Sequence, residues 1–237
     1  KIIGTKTEIA SMAVNKMSLN YLFGGFGENL LLLHGANIGW GQWYPNIYSL
    51  ANEYKVYALD LPGSGNSSRI DFSNSDLEKD FVETTYKFIE NLELDKVSIV
   101  GHSFGAWIAI KLALIHPERI KKLILINPFG ITRHVPMKYR LIAIRPIAEF
   151  VSKNIMPPNR KNMDNFLKSV FYDKQISVKE EFFNYFYDGV LGKKQVSHPL
   201  MFINRISGFL RIPKKLVLIN NLKDLRCPIL IMLSQND

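Results

Sequence analysis

Val97-Ser98-Ile99-Val100-Gly101-His102-Ser103-Phe104-Gly105-Ala106 reads as the end of one element and the start of another. Val97 to Val100 is a short, largely apolar run of the kind found in strands buried on both faces. A long apolar, helix-forming stretch begins at Ala106. Between the two, the G-x-S-x-G pattern puts Ser103 on a turn so tight that the hydroxyl is thrust out of the sheet edge, the geometry of a nucleophile elbow. The motif alone is weak evidence, and its position between strand and helix gives it weight. Gly101 and Gly105 stand where a Cβ would collide with the neighbouring strand and helix.

Similar runs recur on either side. Leu30 to Leu33, Val56 to Leu59 and Leu123 to Ile126 have the same length and turn punctuation as Val97 to Val100. Helical stretches fall between them, at about 40–52, 76–92 and 104–116. Strands alternating with helices predict a parallel sheet with right-handed crossovers. An earlier pair, about 7–13 and 17–23, predicts an antiparallel hairpin on one edge. After Asn127-Pro128 the rhythm breaks, and only helical pieces such as Asn165 to Tyr172 and Lys179 to Gly189 are legible until Pro228 to Leu233 resumes the strand pattern. The simplest organisation is an α/β core over 1–128, a helical lobe over 129–222 and a return to the core over 223–237.

The 237 residues, 47% hydrophobic and 22% charged, suit one large domain or a core carrying an inserted lobe. No apolar run approaches the roughly 18 residues of a membrane span, so no integral membrane segment is expected. The start, Lys1 to Lys6, lacks the apolar core of a signal peptide. A single cysteine, Cys227, precludes an internal disulfide and suits a reducing, cytoplasmic setting. The net charge of +9 is uneven: residues 129–237 carry 18 Lys and Arg against 8 Asp and Glu, whereas residues 1–128 carry 12 against 13. That asymmetry fits attraction to an anionic substrate or surface, or simply a solvated Lys-rich lobe. No nucleic-acid motif accompanies it.

A serine hydroxyl becomes a nucleophile when a base, itself oriented by a carboxylate, takes its proton and backbone donors hold the oxyanion. The N–H of Phe104, at the amino end of a helix, supplies one donor. The loop Leu33-His34-Gly35-Ala36-Asn37-Ile38-Gly39 supplies the second, from Ala36 or alternatively Asn37. Gly63-x-Gly65 has no dinucleotide fingerprint around it and carries little weight.

Together these stretches resemble the α/β-hydrolase superfamily: His34-Gly35 after a strand, Trp43 in the following helix, Asp60-Leu61-Pro62-Gly63-Ser64-Gly65-Asn66-Ser67, the elbow at 101–105, and Pro117-Glu118-Arg119-Ile120 before the next strand. The resemblance implies a mostly parallel sheet with helices on both faces and a helical cap over the site. It implies that Asp237, a few residues past the last legible strand, is the triad carboxylate. It assigns Asp60 to a loop-stabilising turn, and it calls for no metal or organic cofactor. The family's order is Ser, acid, His. Here His34, His102, His116, His134 and His198 all precede Asp237, so the expected base is a histidine about 25–30 residues further along a longer chain, with a final strand and helix missing. His34, His102 and His116 are expected to be structural, Trp40 and Trp43 to be packing residues, and Cys227 to be buried.

The function implied is a cap-bearing serine hydrolase cleaving a small-molecule carboxylic ester or related acyl substrate through an acyl-enzyme. A carbon–carbon bond hydrolase of the same fold is the first alternative, although His34-Gly35-Ala36-Asn37 differs from the Gly-Pro-rich loop that those enzymes resemble. A non-catalytic hydrolase-fold ligand-binding protein is the second.

Overall fold

In the computed structural model the described residues are 7–36, 38–72, 74–135, 140–141, 143–151, 154, 159–170, 180, 183–185, 187, 200–207 and 211–234. The chain opens with β1 (Thr7–Val14) and β2 (Met17–Gly24), an antiparallel hairpin, followed by β3 (Glu28–Leu33). A 3₁₀ turn over Trp40–Trp43 leads into α1 (Tyr44–Ala51) and then β4 (Tyr54–Leu59). A π-helical turn (Glu78–Glu83) runs into α2 (Thr84–Asn91), then β5 (Val97–His102), α3 (Phe104–Ile115) and β6 (Ile120–Ile126). The lobe contributes α4 (Arg145–Phe150), α5 (Arg160–Val170) and α6 (Leu200–Ile206) before β7 (Ile229–Met232).

The seven strands form one sheet in the order β1-β2-β4-β3-β5-β6-β7, antiparallel across β1-β2-β4 and parallel from β4 through β7. Strand residues alternate between two cores, as a period of two demands. Leu31, Leu33, Tyr57, Leu59, Val97, Ile99, Leu123 and Leu125 share one core with α2 and α3. Leu30, Leu32, Val56, Ala58 and Val100 share the other with α1, Trp40 and Trp43. Helices on both faces explain why these strands read as continuous apolar runs. α3 is buried at nearly every position, because its far side meets the lobe rather than solvent: Phe104 packs edge-on against Phe202 of α6 at 4.7 Å between ring centroids.

Register sets the site. Leu33 of β3 pairs with Gly101 of β5, Gly101 with Leu125 of β6, and Leu125 with Ile231 of β7. The carboxyl ends of four parallel strands therefore finish at one edge, where open α/β sheets place their ligands.

The lobe departs from expectation in detail. α5 starts at Arg160 rather than Asn165, because the Asn159 side chain caps it, its Oδ1 accepting from the Asn162 N–H at 2.9 Å. Tyr172 lies outside the described residues. Of 179–189, residues 180, 183–185 and 187 are described, and they are helical. β7 is an edge strand of the described sheet, and Ile229 to Met232 are exposed.

Candidate active site

Ser103 has φ 50° and ψ −114°, a conformation sparsely populated by L-residues. Such strain persists only where the surroundings over-determine it. Here the Ser103 N–H donates to the Ile126 carbonyl at 2.9 Å. The Ser103 carbonyl accepts from Ala106 at 3.1 Å, Trp107 at 3.2 Å and Phe129 at 3.1 Å. The residue is partly exposed, whereas Phe104 beside it is buried.

Both glycines of the motif are steric necessities. A Cβ on Gly101 would lie 2.6 Å from the Ala106 Cα, and one on Gly105 only 2.3 Å from the Leu33 carbonyl oxygen. Helix α3 thus presses directly onto the end of β3, and its first amides point at the sheet edge. The first four amides of a helix have no intrahelical acceptor, so the Phe104 N–H is one of these groups.

The loop after β3 sits on the serine. A Cβ on Gly35 would come within 2.7 Å of the His102 Nδ1 and 3.5 Å of the Ser103 Cβ. The Gly35 N–H donates to the Gln42 Oε1 at 2.9 Å. Gln42 is a loop-holding residue that the sequence reading missed, although a lone polar side chain between Trp40 and Trp43 was a visible signal. Ala36 is partly buried at this turn, and Asn37 lies outside the described residues.

His34 is fully buried and held at both nitrogens. Nε2 accepts from the Leu61 N–H at 3.0 Å, which leaves the ring proton on Nδ1, 2.5 Å from the Gly35 carbonyl. Burial lowers its pKa to about 4, the Gly35 bond opposing and nearby His102 assisting, so the ring is neutral at neutral pH and acts structurally. His116 stacks on Tyr86 at 3.5 Å, also a packing role. His198 lies outside the described residues.

Asp60 is a buried hub. Its carboxylate accepts from the Trp40 N–H at 2.7 Å, the Asn20 side-chain amide at 2.8 Å, the Asn66 N–H at 2.9 Å and the Tyr185 hydroxyl at 2.5 Å. Burial raises its pKa while these four bonds oppose the rise. Burial, then the Asp60 charge, drives the Tyr185 pKa well above the usual phenol value. Asp60 therefore ties β2, the loop after β3 and the loop after β4 to a lobe tyrosine. No local sequence pattern marks Tyr185. Trp40 and Trp43 are buried in the core, and Trp40 also packs on the Tyr185 ring. Cys227 is half-buried, its thiol pKa raised by burial.

Asp237 lies outside the described residues. The ends of β6 and β7 are joined: the Asn127 N–H donates to the Met232 carbonyl at 2.9 Å. The Asn127 side chain donates to the Ser234 Oγ at 2.8 Å and accepts from the Ser234 N–H at 2.8 Å. Asn127, with φ 42°, is the kind of residue that tolerates the left-handed region. This clamp between the ends of β6 and β7 was missed; Asn127-Pro128 marked only the break in the strand–helix rhythm.

The alpha/beta hydrolase fold family matches residues 28–228, and the chain belongs to it. The 1-acylglycerol-3-phosphate O-acyltransferase ABHD5 of Rattus norvegicus is 32% identical over 165 residues, covering 64% of this chain. The chain spans 47% of that relative's length. Among solved structures, the epoxide hydrolase CorEH superposes with a TM-score of 0.74 at 18% identity, over 97% of this chain and 83% of its own. The meta-cleavage product hydrolase CumD of Pseudomonas fluorescens gives 0.71 at 24% identity, over 96% and 80%. Among the described residues no helix is long and apolar enough to cross a membrane.

Proposed function

We propose that this chain is a serine hydrolase acting on carboxylic esters or related acyl substrates. The observation that carries the reading is the strained Ser103, at φ 50° and ψ −114°, directly before a helix amino end and beneath Gly35. Ser103 Oγ attacks the acyl carbonyl, giving up its proton to a histidine base supplied from outside the described residues and oriented by Asp237. The Phe104 and Ala36 N–H groups hold the oxyanion. The Gly35 amide is already committed to Gln42, which leaves Ala36 as the next donor along that loop. Collapse of the tetrahedral adduct breaks the carbon–oxygen bond, the leaving alcohol takes the proton from the base, and water then opens the acyl-enzyme. Residues 129–222 act as a cap over the acyl site, between core segments 1–128 and 223–237. The single cysteine supports a cytoplasmic setting.

Acyl transfer is a second reading, favoured by the name of the 32%-identical rat relative. An acyl-enzyme opened by an alcohol rather than water shares the whole first half-reaction. Assay of short p-nitrophenyl esters beside a ring-cleavage diketone tests the proposal. Ester turnover is expected, and Ser103→Ala should lower it by about 10³-fold or more, as loss of a triad nucleophile does. Activity on the diketone alone, or an unchanged rate in Ser103→Ala, would overturn it.

A further inference from the structure

Where the lobe leaves and rejoins the sheet, its two ends are laced together. The Leu218 N–H donates to the Gly130 carbonyl at 2.7 Å, the Ile212 N–H donates to the Arg133 carbonyl at 3.0 Å, and His134 and Arg211 form an antiparallel bridge. The Trp107 indole N–H of α3 donates to the Leu216 carbonyl at 3.0 Å. Gly130, at φ 83°, permits this closeness, since a Cβ there would lie 2.4 Å from the Leu216 oxygen. Val135, Ile212 and Leu216 are buried beneath the lacing.

This framework gathers Arg133, His134, Arg140 and Arg211 around a cleft of about 390 Å³, with no acidic residue among its described lining residues. Three other cations of the lobe have carboxylate partners: Arg145 with Glu149, Arg160 with Glu180 and Lys168 with Asp164. Among the described residues no ion pair involves Arg133, Arg140 or Arg211. The Arg140 Nε donates to the Val135 carbonyl at 3.1 Å, and the Arg133 Nε lies 3.4 Å from the Ile212 carbonyl. Those contacts orient the two guanidinium groups through Nε, away from the two terminal nitrogens of each. Like charges crowded without counter-charge repel one another, and a multiply charged anion relieves that repulsion.

We propose that this cleft binds a phosphate monoester group, carried by a soluble metabolite or by a phospholipid headgroup. Three guanidinium forks match the several oxygens of a tetrahedral dianion, whereas a lone carboxylate is satisfied by one. The site adjoins the elbow: the Phe129 N–H bonds the Ser103 carbonyl, and four residues of chain cannot place Arg133 more than about 14 Å beyond Phe129. Binding here does not depend on Ser103 being a nucleophile.

Calorimetric titration with inorganic phosphate and with glycerol 3-phosphate tests the soluble source. Co-sedimentation with phosphatidylcholine vesicles, with and without phosphatidic acid, tests the headgroup. At least one probe is expected to bind, and Arg133→Ala, Arg140→Ala and Arg211→Ala should each weaken it about tenfold or more, the scale of a lost charge-assisted hydrogen bond. Arg133→Lys should lose several-fold with its charge kept, and Ser103→Ala should bind normally. Exposed lysines away from the cleft, changed by Lys161→Ala and Lys223→Ala, serve as controls. Binding by glycerol 3-phosphate supports a soluble ligand, and binding only to phosphatidic acid vesicles supports a headgroup. No binding by any probe, or equal losses in the lysine and arginine variants, would overturn the proposal.

Discussion

The elbow at Ser103 and the cleft at Arg133 flank β6 in the sequence, yet they are built in opposite ways. The elbow is made of close backbone approaches. Gly101 and Gly105 let α3 press against the ends of β5 and β3, the Ser103 carbonyl accepts three bonds, and these contacts are made by main-chain atoms. The cleft is made of long cationic side chains hung on a laced backbone, with no carboxylate among its described lining residues. A site defined by where a Cβ cannot go is fixed by the fold itself. A site defined by guanidinium groups is fixed by whatever anion they meet.

Disturbing the elbow should therefore cost most. Gly105→Ala places a methyl group 2.3 Å from the Leu33 carbonyl and 2.6 Å from the His34 carbonyl, both main-chain atoms that cannot rotate away. Overpacking against rigid backbone is expected to destabilise by about 3 kcal/mol or more, measured by denaturant unfolding. A loss below about 0.5 kcal/mol, the level of an ordinary surface change, would mean that α3 does not sit as tightly on β3 as described.

A slightly smaller effect separates the two regions by pH. His34, under the loop after β3, has its pKa lowered to about 4 in the folded protein, against an ordinary value near 6.5. The unfolded chain binds the proton more readily between these values, so this contribution is fully present above about pH 6.5 and lost as pH falls toward about 4. It amounts to about 3 kcal/mol. His34→Gln cannot take up that proton, and its unfolding free energy should fall less steeply over the same window. Equal slopes for the two proteins would show that His34 is not held neutral. The raised pKa of Asp60 works in the opposite sense, and taking the difference between His34→Gln and the parent removes it.

The same contrast explains what could be read from the sequence. The hairpin, the parallel strands and the strand–elbow–helix over Val97–Ile115 follow from periodicity and from glycines with a steric purpose. His34 as a structural residue and Asp60 as a loop hub were expected, and burial and hydrogen bonding bear both out. The lobe was legible only as helical pieces. Asn159 as a cap, Tyr185 as the partner of Asp60 and the meeting of Arg133 with Arg211 depend on how distant segments dock, and local pattern does not encode docking. Asp237 as the acid came from resemblance and Ala36 as an oxyanion donor from the turn that Gly35 permits, and both stand as proposals.

The proposed chemistry requires the Ser103 hydroxyl to be an activated nucleophile. Treatment with a fluorophosphonate that esterifies activated serines, followed by peptide mass analysis, tests it most directly. One adduct is expected, on the peptide carrying Ser103, and none in Ser103→Ala. An adduct on a different residue, or the same labelling in Ser103→Ala, would contradict it.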